Sequence, residues 1–503
     1  MSPHQYRKNF PVKPARLAAA LSAALMVAGL FAIPVLATPA SASTVGTARP
    51  GPGCDPARPA VAHYAGGVLV KAAPGGRDAD PAAAQQNAAR APIPCAVVVG
   101  PSTETANIGV TANGTVFYAP LASFTSLPVA PATPSMVARS TDNGANWDVL
   151  DPASTPEHNT LVPWLDVDPQ TSRVWYATLG QDASTCPSGT FAHISWSDDD
   201  GKTWHNPAEQ DCRQLQGGMS VVEGPAPAGS PKPVGYPHVI YQCGNVTDGA
   251  SPLSVHCWKS LDGGDTWSYV AGPNNAANCA DERPRGRAVG PDGTFYMSIQ
   301  CDGELEIAVS HNEGASWQVR PVAAGSIDRL DVSSITTDKA GNVYIVWVAG
   351  GTGGAAGVPA LGRPYMTVSP NGGITWSKPV VVSAPGVKDV TEDAVTAGTR
   401  GHVAISYLGT TDGENFDGYV TESWQANEAN PVFWSAPVNN PGQPLMTGAV
   451  ATSAVHGDRM WFITVAFGPG GTPWTAFHCA GTTACPLRDG VAGRLVGQPA
   501  SRR

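Results

Sequence analysis

Charge is scarce in this chain. Only 14% of its 503 residues are Asp, Glu, Lys or Arg, and the balance is acidic, with a formal net charge of −10. Nucleic-acid binders show a clustered basic face. Here the arginines are scattered apart from "ERPRGR" at Glu282–Arg287 and the terminal "SRR", so no nucleic-acid partner is expected. After Leu36 no apolar run is long enough to cross a bilayer, so no later membrane span is expected. There is no C-x-x-C pair, which removes the usual zinc spacing, and no G-x-S-x-G nucleophile elbow. The acidic stretch "SDDDGKTW" from Ser197 to Trp204 lacks calcium-loop geometry. Counted from Asp198, its sixth residue is Thr203, where an EF-hand loop needs glycine. No metal site is expected there, and no cofactor motif appears elsewhere. "DGENFD" at Asp412–Asp417 offers several oxygens but reads equally as an exposed acidic turn.

What is present begins with an export signal. Arg7, Lys8, Lys13 and Arg16 precede an apolar run from Leu17 to Leu36, and "ASA" at Ala40–Ala42 fits a cleavage site. The reading is a signal peptide over 1–42 and a secreted mature chain starting near Ser43. Ten cysteines agree with an oxidising compartment. They fall as neighbours in sequence, Cys54/Cys95, Cys186/Cys212, Cys243/Cys257, Cys279/Cys301 and Cys479/Cys485, and local pairing is the simplest expectation. Residues 43–92 are rich in Pro, Ala and Gly and read as a loosely ordered lead-in.

The dominant signal is a repeat. "STDNGANW", "SDDDGKTW", "SLDGGDTW", "SHNEGASW" and "SPNGGITW", starting at Ser140, Ser197, Ser260, Ser310 and Ser369, share the pattern S-x-[DN]-x-G-x-[TSN]-W. They recur every 50 to 63 residues, and such periodicity marks a propeller, solenoid or array. Each copy sits between two short β-type runs and so reads as a hairpin turn. Asp142, Asp199, Asp262, Asn312 and Asn371 suit the role of Asx acceptors for loop N–H groups. Gly144, Gly201, Gly264, Gly314 and Gly373 suit positive φ. The tryptophans are expected to bury apolar area between neighbouring sheets. Asn replaces Asp in two copies, which a catalytic carboxylate or a metal ligand would hardly tolerate. The repeat reads as scaffold.

These residues resemble the Asp-box, or BNR repeat, of the sialidase-like β-propellers, of a secreted bacterial type. Between the boxes runs a second repeated element, an apolar strand, a turn and another strand, as in "WLDVDPQTSRVWYAT" and "RAVGPDGTFYMSI". Seven such units can be counted, and the box hairpins complete four-stranded blades. The expected fold is all-β: a propeller of seven four-stranded blades over residues 93–485, with six blades as the alternative. The N-terminal run "IPCAVVVG" is expected to supply the outer strand of the last blade. Residues 486–503 read as a flexible tail.

Propellers meet ligands around the central channel. Aligning the units places Glu104, His158, Arg283, Arg285, Asp328, Arg329, Asp331, Glu392 and Asp393 where the innermost strands begin. The resemblance implies a glycosidase built on carboxylates and arginines. On that pattern Glu104, Asp331, Glu392 and Asp393 are the catalytic candidates, and Arg283, Arg285, Arg329 and His158 the substrate-binding ones. The chain departs from the family where an F-R-I-P motif belongs: it has "ARAPIPC", with Arg90 out of place. Two function classes follow. One is an extracellular, sialidase-like exo-glycosidase; the other is a non-catalytic propeller that binds a glycan or glycoprotein. A monomer is expected in either case.

Overall fold

In a computed structural model, the structure describes residues 54–70, 91–101, 106–120, 137–152, 161–181, 190–207, 215–246, 254–273, 282–301, 304–323, 334–349, 361–448, 463–483, 485 and 489–497. Among them the secondary structure is almost entirely antiparallel strand, distributed over seven sheets. Taken as blades in chain order, their innermost strands are Ala106–Val110, Leu161–Val167, Leu215–Gly224, Glu282–Val289, Ser334–Thr337, Asp389–Ala397 and Thr464–Phe467. Each of these lies beside the innermost strand of the next blade, and the last returns to the first. At that junction Ile108 N donates to Thr464 Oγ1 at 2.7 Å. The ring is closed, and the fold is a sialidase-like β-propeller.

The second strand of each blade explains why the chain folds this way. "VWYATLGQ", "FYMSIQC" and "VYIVWVA" are rich in β-branched and aromatic residues and are apolar on both faces. Such strands are covered by a neighbouring blade on each side. Trp175, Tyr176, Phe295 and Tyr344 are completely buried. The cores accordingly lie in the seams between blades; one joins Phe117 and Val137 of the first blade to Leu165 and Tyr176 of the second.

The boxes are turns, as their sequence implies, and the structure shows how each residue serves. In the second box Ser197 Oγ accepts from Gly201 N at 2.9 Å and donates to Asp199 Oδ1 at 2.9 Å. Asp199 then accepts from the backbone N–H groups of Lys202 and Thr203 and from the Thr203 hydroxyl. Desolvation is the largest single effect and would raise its carboxyl, but these bonds together outweigh it and hold the carboxyl down at about 2. Gly201 has φ 75°, and the residue before it, Asp200, has φ 58°. The neighbouring aspartates are equally occupied. Asp198 pairs with Arg173 through Nε and Nη2 at 2.6 and 2.7 Å, and the Arg173 guanidinium lies over the Trp196 and Tyr236 rings. Asp200 accepts from Asn113 Nδ2 at 2.8 Å, and its carbonyl from Arg139 Nη1 at 2.9 Å. Asp199 closes its turn, Asp200 ties the second blade to the first, and Asp198 joins two turns of its own blade. The box tryptophans are half-buried rather than enclosed. Trp204 caps the seam between first and second blades from the rim and donates from Nε1 to Gly201 O at 3.1 Å.

Two variants follow from this geometry. Asp199→Ala is expected to cost about 1–2 kcal/mol through lost turn bonds. Trp204→Ala is expected to cost about 2–3 kcal/mol, below the loss for a fully enclosed ring. Thermal melts read both, and an Asp199→Ala protein of normal stability would remove the structural role of the box.

The last blade closes with chain from both ends. Val97 pairs with Ala492, and the strand Ile93–Pro101 forms the outer edge beside Asp489–Val496. That second strand corrects the boundary at 485, because part of the expected flexible tail is the third strand of this blade. Its glycines hid it. A Cβ on Gly490 would lie 2.6 Å from Tyr118 Oη, and one on Gly493 2.6 Å from Val438, so the strand is kept narrow to fit between its neighbours. The lead-in also proves partly structured. Val61–Tyr64 and Val68–Leu69 extend the sixth blade beyond Phe433–Pro437. The Cys54–Cys95 disulfide and the Arg58 Nη1 bond to Asn439 O at 2.9 Å pin this segment, doing what its composition alone cannot. Cys243–Cys257 and Cys479–Cys485 are bonded as expected, and Cys301 is also in a disulfide; Cys186, Cys212 and Cys279 lie outside the described residues.

Candidate carboxyl site in the central channel

The innermost strands are not regular. Those of the second, third, fourth and sixth blades each carry a register shift in their first half, at Leu161/Trp164, Leu215/Gly217/Ser220, Pro284/Arg287 and Thr391/Asp393. Bulges re-aim side chains and gather beside functional sites. In the sixth blade Thr391 pairs with Leu408 and Asp393 with Tyr407, leaving Glu392 as the extra residue. Its φ is 56°, a costly conformation for a residue with a side chain. A regular strand would send Glu392 and Asp393 to opposite faces. The bulge breaks that alternation, and the Asp393 charge acts on Glu392.

Both carboxyls are buried, Glu392 8% exposed and Asp393 3%. Burial, and then the charge of Asp393, pushes Glu392 well above the usual carboxylate range. Burial likewise raises Asp393, against two hydrogen bonds from Ser334. Ser334 Oγ donates to Asp393 Oδ1 at 2.7 Å from the innermost strand of the fifth blade. Glu392 Oε2 and Asp393 Oδ2 are buried without a partner among the described residues.

Two further acids, which the strand-start alignment missed, face each other from the second and third blades. Asp166 and Glu223 stand one residue before the ends of their innermost strands, and their carboxyls are hydrogen-bonded together. Burial is the main cause that raises Asp166 to about 7; burial and the Asp166 charge raise Glu223 well above its ordinary range. The signal in the sequence was a single acid inside an otherwise apolar inner strand, "WLDV" and "VVEG". Arg287, half-buried and lowered to about 10 by desolvation, donates from Nη1 to Ser220 Oγ at 2.6 Å. Next to the acid pair, Asp168 is a structural group. Burial would raise it, but His238 at 2.7 Å and Tyr236 hold it below its ordinary value.

Of the residues singled out from sequence, Glu392 and Asp393 come together as one site. Arg283 and Arg285 lie in the strand Glu282–Val289, their side chains outside what is described. Glu104, His158, Asp328, Arg329 and Asp331 lie outside the described residues. The Asp412 carboxylate is committed to its own turn, accepting from Glu414 N, Asn415 N and Asn415 Nδ2, which hold it well below the ordinary range.

The raised carboxyls make stability depend on pH. Glu422 is pushed up to about 9 by burial, and Asp166, Glu223, Glu392 and Asp393 are raised as well. A raised acid contributes stability that is complete below its unfolded pKa and lost as pH rises toward the folded one. Below the ordinary histidine range the buried His402 and His478, lowered to about 4 and about 3, oppose this trend. Between about pH 6.5 and 9 only the acids act, and each still-protonated carboxyl removes about 1.4 kcal/mol per pH unit. The melting temperature is expected to fall steadily over this window; a flat profile would mean that these carboxyls are ionised in the folded state.

No family model and no curated protein matches the chain. Among solved structures it is similar to a Hadza microbial sialidase, at 15% identity and a TM-score of 0.43 over 67% of this chain and 65% of that one. It is also similar to a leech intramolecular trans-sialidase, at 14% identity and a TM-score of 0.41 over 80% of this chain and 69% of that one. The α-L-arabinanase of Penicillium chrysogenum is similar at 14% identity and a TM-score of 0.38, over 68% of this chain and 95% of that one. The chain therefore spans under two thirds of the first of these proteins.

Proposed function

We propose that the chain is a secreted, glycan-active propeller that hydrolyses glycosidic bonds at the channel site of the sixth blade. The observation that carries this reading is two adjacent buried carboxyls, Glu392 and Asp393, on a strained bulge of an innermost strand, with Asp393 held by Ser334. Glycoside hydrolysis needs two carboxyl groups in different protonation states. Glu392 protonates the departing glycosidic oxygen as the bond to the anomeric carbon breaks. Water adds to that carbon and gives its proton to the Asp393 carboxylate. Return of that proton to Glu392 restores the pair, so one water is consumed per bond broken. The Asp-box scaffold, with its resemblance to the sialidase-like propellers, supports a sugar as the substrate class. Export follows from the N-terminal signal and fits the disulfides. Among the described residues no helix is long and apolar enough to cross a membrane.

The test is a hydrolysis panel with the purified mature protein on fluorogenic sialosides, arabinosides and neutral hexosides, run beside a glycan-binding array. Turnover of one class supports the reading. Binding on the array without turnover of any glycoside assigns the chain to the non-catalytic class.

A further inference from the structure

Ser334 reaches Asp393 across a blade seam, from the first residue of its own innermost strand. We propose that Ser334 is the positioning residue that divides the labour of the pair, holding the anion on Asp393 and leaving the proton on Glu392. The inference rests on the reading of this pair as the hydrolytic site. Two donors, the Ser334 hydroxyl and its backbone N–H, serve the Asp393 carboxyl. Glu392 receives no comparable donor among the described residues, and its Oε2 is buried without a partner. Donors that converge on a carboxylate favour its charged form, and two adjacent buried carboxyls do not both ionise. The one with donors loses its proton first, and the other keeps it.

The surroundings add no competing charge among the described residues. The strand Ser334–Thr337 and the strand Thr464–Phe467 carry no titratable side chain. The strand Val403–Thr410 brings Tyr407, whose hydroxyl accepts from Ala384 N; burial pushes it up to about 12, so it stays neutral. Tyr344, on the strand Val343–Ala349, donates to Asp338. The strand Arg363–Ser369 carries Arg363, which is exposed, and Tyr365, which stacks on Trp347. On the pair's own strand, Asp389 pairs in register with Thr410 at the opening residue. None of these contributes to the shift of either carboxyl.

Infrared titration of the protonated-carboxyl stretch reads the assignment without a substrate, in wild type, Ser334→Ala, Ser334→Thr, Glu392→Gln and Asp393→Asn. The expected result is that Ser334→Ala raises the lower of the two carboxyl midpoints by about one pH unit, and that Ser334→Thr restores it. Glu223 and Glu422 also absorb in this region at neutral pH, so the Glu392 component is read from wild-type-minus-variant differences; it should vanish in Glu392→Gln and survive in Asp393→Asn at neutral or slightly lower pH. On any glycoside the panel identifies, the acidic limb of the pH–rate profile should move up with Ser334→Ala. A Ser334→Ala protein with unchanged midpoints and only a lower melting temperature overturns the proposal. So does a neutral-pH difference component that is lost in Asp393→Asn and kept in Glu392→Gln, which also decides the matter if Ser334→Ala does not fold. Failure of the whole glycoside panel instead removes the hydrolytic reading and leaves the spectroscopic assignment standing.

Discussion

Replacing Glu392 with glutamine is expected to abolish turnover and, in the same protein, raise stability above neutral pH. On the proposed assignment, the first effect follows from the loss of the group that delivers the proton. Removing a general acid costs about 10²–10⁴-fold in rate, and the loss should appear in kcat rather than in KM, because the side chain keeps its shape. The second effect follows from the buried position of this acid, 8% exposed beside Asp393. A carboxyl whose folded pKa lies above its unfolded one stabilises less and less as pH rises, at about 1.4 kcal/mol per pH unit while it stays protonated. Glutamine is neutral in both states and removes that slope. Its amide can also donate toward Asp393 Oδ2, which lacks a partner among the described residues. Melting temperatures at pH 6 and 8 and a rate on the panel substrate measure both effects. Full activity would sink the assignment of Glu392, and an unchanged pH slope would show that Glu392 is ionised when folded. A gain in stability coupled to a loss of activity is how a strained, buried site separates from scaffold.

The second large effect concerns closure. A chain lacking residues 43–101 is expected not to reach a cooperative native state. The deletion removes the strand Ile93–Pro101 and its ladder to Asp489–Val496, the Cys54–Cys95 bridge and the two strands that extend the sixth blade. It also strips the cover from the seam that holds Tyr118, Trp474 and Ala492, which Val99 packs against. Open strand edges and an uncovered apolar face lead to aggregation rather than to a smaller propeller. A soluble product that melts cooperatively within a few degrees of the full mature chain would contradict this. A gentler probe is Gly490→Ala. Its Cβ would meet the hydroxyl and ring of the buried Tyr118 at 2.6 to 2.9 Å, and an overpacked site of this kind costs about 1–3 kcal/mol.

The sequence alone determined the boxes, and the reason is locality. The serine and Asx bonds that shape each box turn join residues two to four positions apart, such as Ser140 with Gly144 and Asp142 with Asn146. A pattern of eight letters therefore contains its own physics, and five copies 50 to 63 residues apart make the ring legible. The apolar second strands were readable for a similar reason, since a run buried on both faces has no polar alternation to hide it. The third strand of the last blade was not readable, because its glycines are explained only by Tyr118 and Val438 of neighbouring blades. The site was half readable. Glu392 and Asp393 stand together in sequence, but a regular strand would have turned them apart, and only the bulge at Thr391/Asp393 breaks that alternation. Ser334 is 59 positions from its partner Asp393, and Asp166 and Glu223 meet only because their blades are neighbours in the ring. Which acids keep a proton was decided by tertiary structure, because desolvation and cross-blade hydrogen bonds do not exist until the ring is closed.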